Sequence, residues 1–225
     1  MDYDSLPETE ILGVTSEAPY WDQDGVHDIY RQWRTIADSY DPPRILCGET
    51  WAPSAERLAL YQRPDELHTS FNFGYLAAGW DAESMRRSID ETVANHAKVG
   101  APPTWVLSNH DVIRHATRFA PTPDGTPVTG PTPVDAERGL ARARAASVFM
   151  LGLPGSAYLY QGEELGLPEV FDLPDDARQD PVWHRSEGEY TGRDGCRVPI
   201  PWSGATPSYG FGPSQASWLP QPDEW

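Results

Sequence analysis

Apolar positions change their spacing at intervals along this chain, and each change marks an element. From Val26, the residues Val26, Ile29, Tyr30, Trp33, Ile36, Ala37 and Tyr40 recur at the i, i+3, i+4, i+7 spacing of one helical face, and Asp41-Pro42-Pro43 stops the run. A short apolar run from Arg44 to Trp51 follows at once, and its length and its Pro and Gly flanks predict a buried strand. The alternation then repeats. Thr69 to Phe73 predicts a second strand, residues 81–97 carry Met85, Ile89 and Val93 on one helical face, and Thr104 to Ser108 predicts a third strand. After a Pro- and Gly-rich loop at 120–133, a helix from about Val134 to Leu151 leads over Gly152-Leu153-Pro154-Gly155 to a fourth strand, Ser156 to Tyr160. Strands that alternate with helices need crossover connections, so the pattern predicts an α/β fold with parallel pairing. Residues 1–24 are acidic and aperiodic and predict a loop, while 161–225 lose periodicity and fill with Pro, Gly, Trp and Arg, a long irregular stretch rather than a second domain.

Charge narrows the partners. The 225 residues carry 17 Lys plus Arg, of which only Lys98 is a lysine, against 34 Asp plus Glu, a net charge of −17. Nucleic acid is excluded by this balance, because affinity for a phosphate backbone rests on cations that replace condensed counterions, and an anionic membrane surface is disfavoured for the same reason. No stretch approaches the roughly 20 uninterrupted apolar residues of a spanning helix, and the start, Met1-Asp2-Tyr3-Asp4, is acidic where a secretory signal would be basic and then apolar. Two cysteines, Cys47 and Cys196, make neither a disulfide framework nor a CxxC pair, so two reduced thiols in a cytoplasmic protein are expected.

Chemistry in a parallel α/β fold gathers at the carboxyl ends of the strands. Those ends read Glu49-Thr50-Trp51, Phe71-Asn72-Phe73, Ser108-Asn109-His110-Asp111 and Tyr160-Gln161-Gly162-Glu163-Glu164. Two acids at separate strand ends, flanked by aromatics, suit sugar transfer: one carboxyl assists the departing oxygen, another stays ionised near the developing oxocarbenium charge, and aromatic faces stack on sugar rings. An acid in such a place also serves as a helix N-cap or a surface partner. Other chemistries fit less well. The six histidines complete no metal ligand set, no GxxxxGK[ST] cradle is present, and Ser108 lacks the glycines of a nucleophile elbow. Neither a metal nor a cofactor is expected. The segment Gly192-Arg193-Asp194-Gly195-Cys196-Arg197-Val198-Pro199 reads either as a turn with solvated charges or as a donor fork for a carboxylate or sugar hydroxyls.

Taken together and in order, Arg44 to Trp51, Phe71-Asn72-Phe73, Ser108 to Asp111, Tyr160 to Gly166 and Gly192 to Pro199 resemble the α-amylase family of glycoside hydrolases, and most closely its bacterial α-glucosidase and oligo-1,6-glucosidase branch. The resemblance implies a partial (β/α)8 TIM barrel, with residues 1–225 as its C-terminal half, strands 5 to 8, and 1–24 as the loop after strand 4. It implies Glu49 as general acid/base, Asp111 as the carboxylate that orients and stabilises the distorted sugar, and His110 and Arg193 as contacts to the same ring. Phe73 and Trp51 are the implied wall residues, and Arg197 a support of the Arg193 loop. The implied substrate is an oligosaccharide of the maltose or isomaltose type. The chain departs from the family where the nucleophilic aspartate is expected, since no Gly-Phe-Arg-x-Asp segment occurs in it. The expectation is therefore an α-glucosidase fragment, inactive alone, that self-associates through exposed barrel edges. A glucosyltransferase or isomerase of the trehalose synthase kind and a non-catalytic sugar-binding module are the alternatives.

Overall fold

The computed structural model describes residues 21–206 and 208–225, so most of the loop expected at 1–24 lies outside the described residues. The chain divides into two compact units, one of residues 1–106 and 152–158 and one of 107–151 and 159–225.

The first unit opens with α1, Val26–Asp38, which ends just ahead of Asp41-Pro42-Pro43, where missing N–H donors prevent continuation. Its apolar face does not become core: Ile29, Trp33, Ile36 and Tyr40 are each about half exposed. A polar edge holds the helix instead. His27 Nδ1 lies 2.6 Å from Glu66 Oε2, and Arg31 Nη2 and Arg63 Nε donate to Glu66 Oε1 at 3.1 and 2.8 Å, so the fully buried Glu66 carboxylate is compensated from three sides.

The four strands among the described residues lie in this unit and are shorter than the apolar runs that announce them. β1, Cys47–Gly48, pairs parallel with β2, Thr69–Ser70, in the register Cys47 to Thr69. Likewise β3, Thr104–Val106, pairs parallel with β4, Ser156–Tyr158, in the register Thr104 to Ser156. Each pair is a separate two-stranded sheet, and a 2.6 Å hydrogen bond between the Thr69 and Thr104 hydroxyls links the two. Parallel pairing agrees with the sequence pattern, and no closed barrel forms among the described residues.

Two short helices escape the periodicity argument. α2, Ala55–Leu60, starts at Ser54, whose Oγ accepts from the Arg57 N–H, and α3, Phe73–Ala77, starts at Asn72, whose Oδ1 accepts from the Tyr75 N–H. Phe73 thus begins a helix rather than ending a strand. The next helix, α4, Ala82–Val99, is capped by Asp81 and closed by Gly100 at φ 71°. Its inward face differs from the expected one. Met85 is buried, but Val93 is exposed, and Thr92 and His96 are buried instead, because Asn72 Nδ2 donates to Thr92 Oγ1 at 2.8 Å and Gln62 meets His96 at 2.9 Å. Trp105 fills the centre of the unit, edge-on to Tyr75 at 5.2 Å.

The second unit has little regular structure. α5, His115–Arg118, packs on α6, Ala136–Leu151, and α7, Pro181–Arg185, stands between two 3-10 turns, Asp175–Ala177 and Asp194–Arg197. Val170, Leu173, Val198 and Leu219 form one buried hydrophobic cluster in it, and Leu107, Phe119 and Met150 are buried as well. Arginines fix the irregular backbone: the buried Arg114 donates to the carbonyls of Gln161 and Cys196 at 2.6 and 2.9 Å, and the buried Arg178 to those of Phe171 and Thr191 at 2.8 and 3.1 Å. On α6, Val148, Phe149 and Leu151 are exposed. No described helix is long and apolar enough to cross a membrane.

Candidate active site

In the first unit β1 delivers Glu49, Thr50 and Trp51, and Glu49 stands exposed directly after the strand. Trp51 lies flat on Phe73, with ring centroids 3.8 Å apart and planes 3° from parallel. Phe71 meets Phe73 edge-on at 6.4 Å and Tyr158 edge-on at 5.0 Å. The carboxyl ends of β1, β2 and β4 therefore share one aromatic wall, and the Asn72 cap places Phe73 in it by turning the chain into α3. Such a wall offers apolar faces to the C–H side of a sugar ring while Glu49 remains open to solvent.

In the second unit Asp111 is the centre. Its N–H donates to Asn109 Oδ1 at 2.8 Å, which fixes the local turn. Arg193 Nη1 and Arg197 Nη2 both donate to Asp111 Oδ1, at 3.0 and 2.7 Å, and Arg197 Nε also donates to the His110 carbonyl at 2.7 Å. His110 is exposed, with Nε2 3.6 Å from Asp111 Oδ1. With two guanidinium groups on one oxygen, Asp111 is already charge-compensated and makes a poor anchor for a cation. Features of both readings of 192–199 coexist: Asp194–Arg197 is a 3-10 turn, and Arg193 and Arg197 donate to a carboxylate.

Asp180 completes this cluster and was not among the candidates. Fully buried, its carboxylate accepts from Arg193 Nε at 2.6 Å, from Arg193 Nη2 at 3.2 Å, and from the N–H groups of Arg193 and Val182 at 2.8 and 3.0 Å. Burial works to raise its pKa, but the bonds from Arg193 and the two N–H donors outweigh it and hold the group at about 2. The same carboxylate holds the Arg193 guanidinium above its ordinary value. Asp194 braces the arrangement from behind, its Oδ2 accepting from the N–H groups of Gln179 and Asp180 at 2.7 and 2.9 Å. Asp180-Pro181 does carry a sequence signal, an N-cap with Pro at the first helical position. That signal announces a helix start, not a clamp on an arginine 13 residues away. Arg197, expected as a support of the Arg193 loop, touches the Asp111 carboxylate, a contact the sequence did not suggest. Both cysteines are free, and burial pushes the Cys196 thiol up to about 12.

The structure thus brings Trp51 to Phe73 and, separately, His110 and Arg193 to Asp111. Glu49 belongs to the first unit and Asp111 to the second. The alpha amylase catalytic-domain model matches residues 2–225. The chain belongs to the alpha-amylase family. It is 38% identical over 159 residues to a probable alpha-glucosidase of Rhizobium meliloti (strain 1021), an alignment covering 69% of this chain and 25% of that protein. Maltase A1 of Drosophila melanogaster is 26% identical over 214 residues, covering 88% of this chain and 33% of the relative. Among solved structures, the alpha-glucosyl transfer enzyme XgtA superposes with a TM-score of 0.69 at 31% identity over 88% of this chain and 34% of that one. Trehalose-6-phosphate hydrolase from Bacillus licheniformis, at 22% identity and a TM-score of 0.68, matches 93% of this chain and 41% of its own and shares the fold. The chain spans between a quarter and a third of the curated relatives named here.

Proposed function

We propose that this chain supplies the acid/base and sugar-orienting part of a retaining α-glucosidase site, in the C-terminal half of a (β/α)8 barrel whose strands 5 to 8 are β1 to β4. Glu49 is the general acid/base: protonated, it gives its proton to the departing glycosidic oxygen, and as carboxylate it then draws a proton from water. Asp111, held in place by Arg193 and Arg197, orients the sugar hydroxyls and stabilises the oxocarbenium-like charge, and His110 donates to the same ring. Trp51 and Phe73 form the apolar wall beside Glu49, and the substrate is a short oligosaccharide of the maltose or isomaltose type.

The observation that carries this reading is the convergence of Arg193 and Arg197 on Asp111 Oδ1, which joins two motifs 82 residues apart into one polar centre. Retaining chemistry also needs a carboxylate that attacks the anomeric carbon, about 5 Å from the acid/base. The chain contains no Gly-Phe-Arg-x-Asp segment to provide it, so the 225 residues alone form no glycosyl-enzyme. Purified chain is expected to leave p-nitrophenyl α-glucoside intact. Hydrolysis that Glu49→Gln abolishes would overturn the inactivity and keep the acid/base assignment; hydrolysis indifferent to Glu49→Gln would overturn both. A transfer reaction, with a sugar in place of water as acceptor, is the second reading, favoured by the 31% identity to an alpha-glucosyl transfer enzyme. Product analysis on maltose with a full-length protein that contains these residues separates the two, with free glucose alone for hydrolysis and new oligosaccharides or trehalose for transfer.

A further inference from the structure

One buried acid of the second unit takes no part in the proposed chemistry. Glu163 follows β4 in the segment Tyr160-Gln161-Gly162-Glu163-Glu164, its side chain is 3% exposed, and neither carboxylate oxygen has a hydrogen-bond partner among the described residues. Ionisation of such a group is costly, and a proton relieves it. Burial accordingly raises its pKa to about 7, against the Tyr160 backbone, the Ser108 hydroxyl, Arg114 and Arg118, which draw it down. What surrounds Glu163 is the base of the loop that carries His110 and Asp111. His115 Nδ1 lies 3.8 Å from Glu163 Oε1. Ser108 Oγ accepts from the His115 N–H at 3.0 Å and lies 3.0 Å from His115 Nδ1, so residues 108 and 115 close the loop between them. Arg118 ties the same loop, with Nη2 donating to the Leu107 carbonyl and Nε to the Ile113 carbonyl at 3.3 Å. Of the other charged groups about Glu163, Arg114 donates to the Gln161 and Cys196 carbonyls, while Arg144 of α6 and Glu164 line the same cavity as Glu163.

We propose that Glu163 is a positioning residue for His110 and Asp111, one that holds their loop as the neutral acid and loosens it as the carboxylate. A carboxylic acid has an O–H to donate. Ser108 Oγ, with one lone pair on the His115 N–H and its own proton directed to Nδ1, has a second lone pair to accept it. Glu163, Ser108 and His115 then form one chain of donors and acceptors across the base of the loop, and Arg118 stays on the Leu107 and Ile113 carbonyls. Loss of the Glu163 proton to water reverses the chain. The carboxylate only accepts, so the Ser108 proton turns to it, and the ring proton of the neutral His115 moves from Nε2 to Nδ1 to face the hydroxyl. The new charge also competes with two neutral carbonyls for Arg118, and a guanidinium binds a carboxylate more strongly than a carbonyl. The loop thereby loses its tie at Leu107, directly ahead of Ser108-Asn109-His110-Asp111. This role rests on the sugar contacts proposed for His110 and Asp111 for its effect on catalysis, but not for its effect on the loop.

The test is NMR of the 225-residue chain from about pH 5 to 9, with histidine ring nitrogens and backbone amides as the probes. In the wild type Nδ1 of His115 is expected to become the protonated ring nitrogen as pH rises, and the Leu107 and Ser108 amide signals to move with the same midpoint near pH 7. Glu163→Gln, whose amide donates at every pH, is expected to keep the acid-side spectrum throughout. At pH 8 its His115 N–H, bonded to Ser108 Oγ, is expected to exchange at least tenfold more slowly than that of the wild type. Glu169→Gln and His110→Gln are expected to keep the transition, which assigns it to Glu163 and not to the second buried carboxyl or the site histidine. Constant His115 and Leu107 signals across the range overturn the proposal, a result that needs no variant to fold. So does a transition that survives Glu163→Gln or vanishes in Glu169→Gln or His110→Gln, and so does equal exchange of the His115 N–H in wild type and Glu163→Gln at pH 8. None of these readouts involves turnover, so failure here leaves Glu49 and Asp111 as assigned, and failure of the Glu49 assignment leaves the loop measurement intact.

Discussion

The two units reach a defined structure by different physical routes. In the first, backbone conformation does most of the work: four parallel strands, helices begun by Ser54, Asn72 and Asp81, and a helix stopped by Gly100. In the second, side chains hold backbone that has no repeating pattern, with Arg114 and Arg178 taking carbonyls and Asp180 and Asp194 taking N–H groups. Irregular chain is thus fixed as firmly as a strand, provided that buried guanidinium and carboxylate groups satisfy its polar atoms. The contrast extends to the candidate chemistry. Glu49 owes its place to a strand end, whereas Arg193 owes its aim at Asp111 to a second carboxylate.

The most severe test of this contrast is Asp180→Ala. It strips four hydrogen bonds, three of them from Arg193, and leaves that guanidinium with Asp111 alone. Breaking a buried ion pair costs about 3–5 kcal/mol, and the partial exposure of Arg193 lets water recover some of that. An expected loss of about 3 kcal/mol is measurable by urea unfolding, with faster proteolysis between residues 178 and 197 as a second readout. Acid acts in the same direction. Because the folded-state pKa of Asp180 is depressed to about 2, its contribution is complete above the ordinary carboxylate pKa and disappears as pH falls from about 4 towards 2. A loss under about 1 kcal/mol, the worth of an exposed helix cap, would show that side-chain ties do not organise the second unit.

This contrast also explains what the sequence could and could not reveal. α1, α4 and α6 repeat an apolar position every three to four residues, and the runs ahead of β1 to β4 sit between helices, so their type and order were legible. Hydrophobic spacing specified the α1 face but not its fate, because the Glu66 cluster with His27, Arg31 and Arg63 holds the helix by charge. Val93 was misassigned because Thr92 and His96 found buried hydrogen-bond partners, which a hydrophobicity pattern does not count. In the second unit the informative bonds join residues tens of positions apart, such as Asp111 with Arg193 and Arg114 with Cys196. No local period encodes such bonds. The candidate site was legible only as motifs, and Asp180, which sets one of them, was hidden in a helix start.

A smaller effect with a definite sign sharpens the same comparison. Burial in the second unit pushes the Glu163 and Glu169 carboxyls up to about 7, against the pull of nearby Arg114 and, for Glu163, Arg118. Burial likewise lowers His115 to about 4. For a raised carboxyl, stability is complete below its unfolded pKa and is lost as pH rises through the folded value; for the lowered histidine, stability is lost as pH falls from about 6.5 towards 4. With two raised carboxyls against one lowered histidine, these three groups together favour the folded second unit most near pH 4, and their contribution falls as pH rises from there towards 7. Glu163→Gln is expected to match the wild type at pH 4 and to exceed its stability by on the order of 2 kcal/mol at pH 8. Unfolding curves at the two pH values check this, and equal stabilities at pH 8 would mean that the carboxyl ionises without penalty.

The gentlest test lies in the first unit, at Gly100. This residue closes α4 in the left-handed region, and a Cβ added there meets no atom within 4 Å. Gly100→Ala therefore removes no contact and creates no clash, so its whole cost is the backbone preference of an L-residue, about 1 kcal/mol. The cost should not vary with pH or salt, because no charge takes part, whereas the cost of Asp180→Ala must shrink in acid. Unfolding of both variants at pH 7 and pH 3 checks the pair of slopes together. A pH-dependent penalty at Gly100, or one as large as that at Asp180, would mean that backbone conformation is not what shapes the first unit, and the distinction between the two units would fall with it.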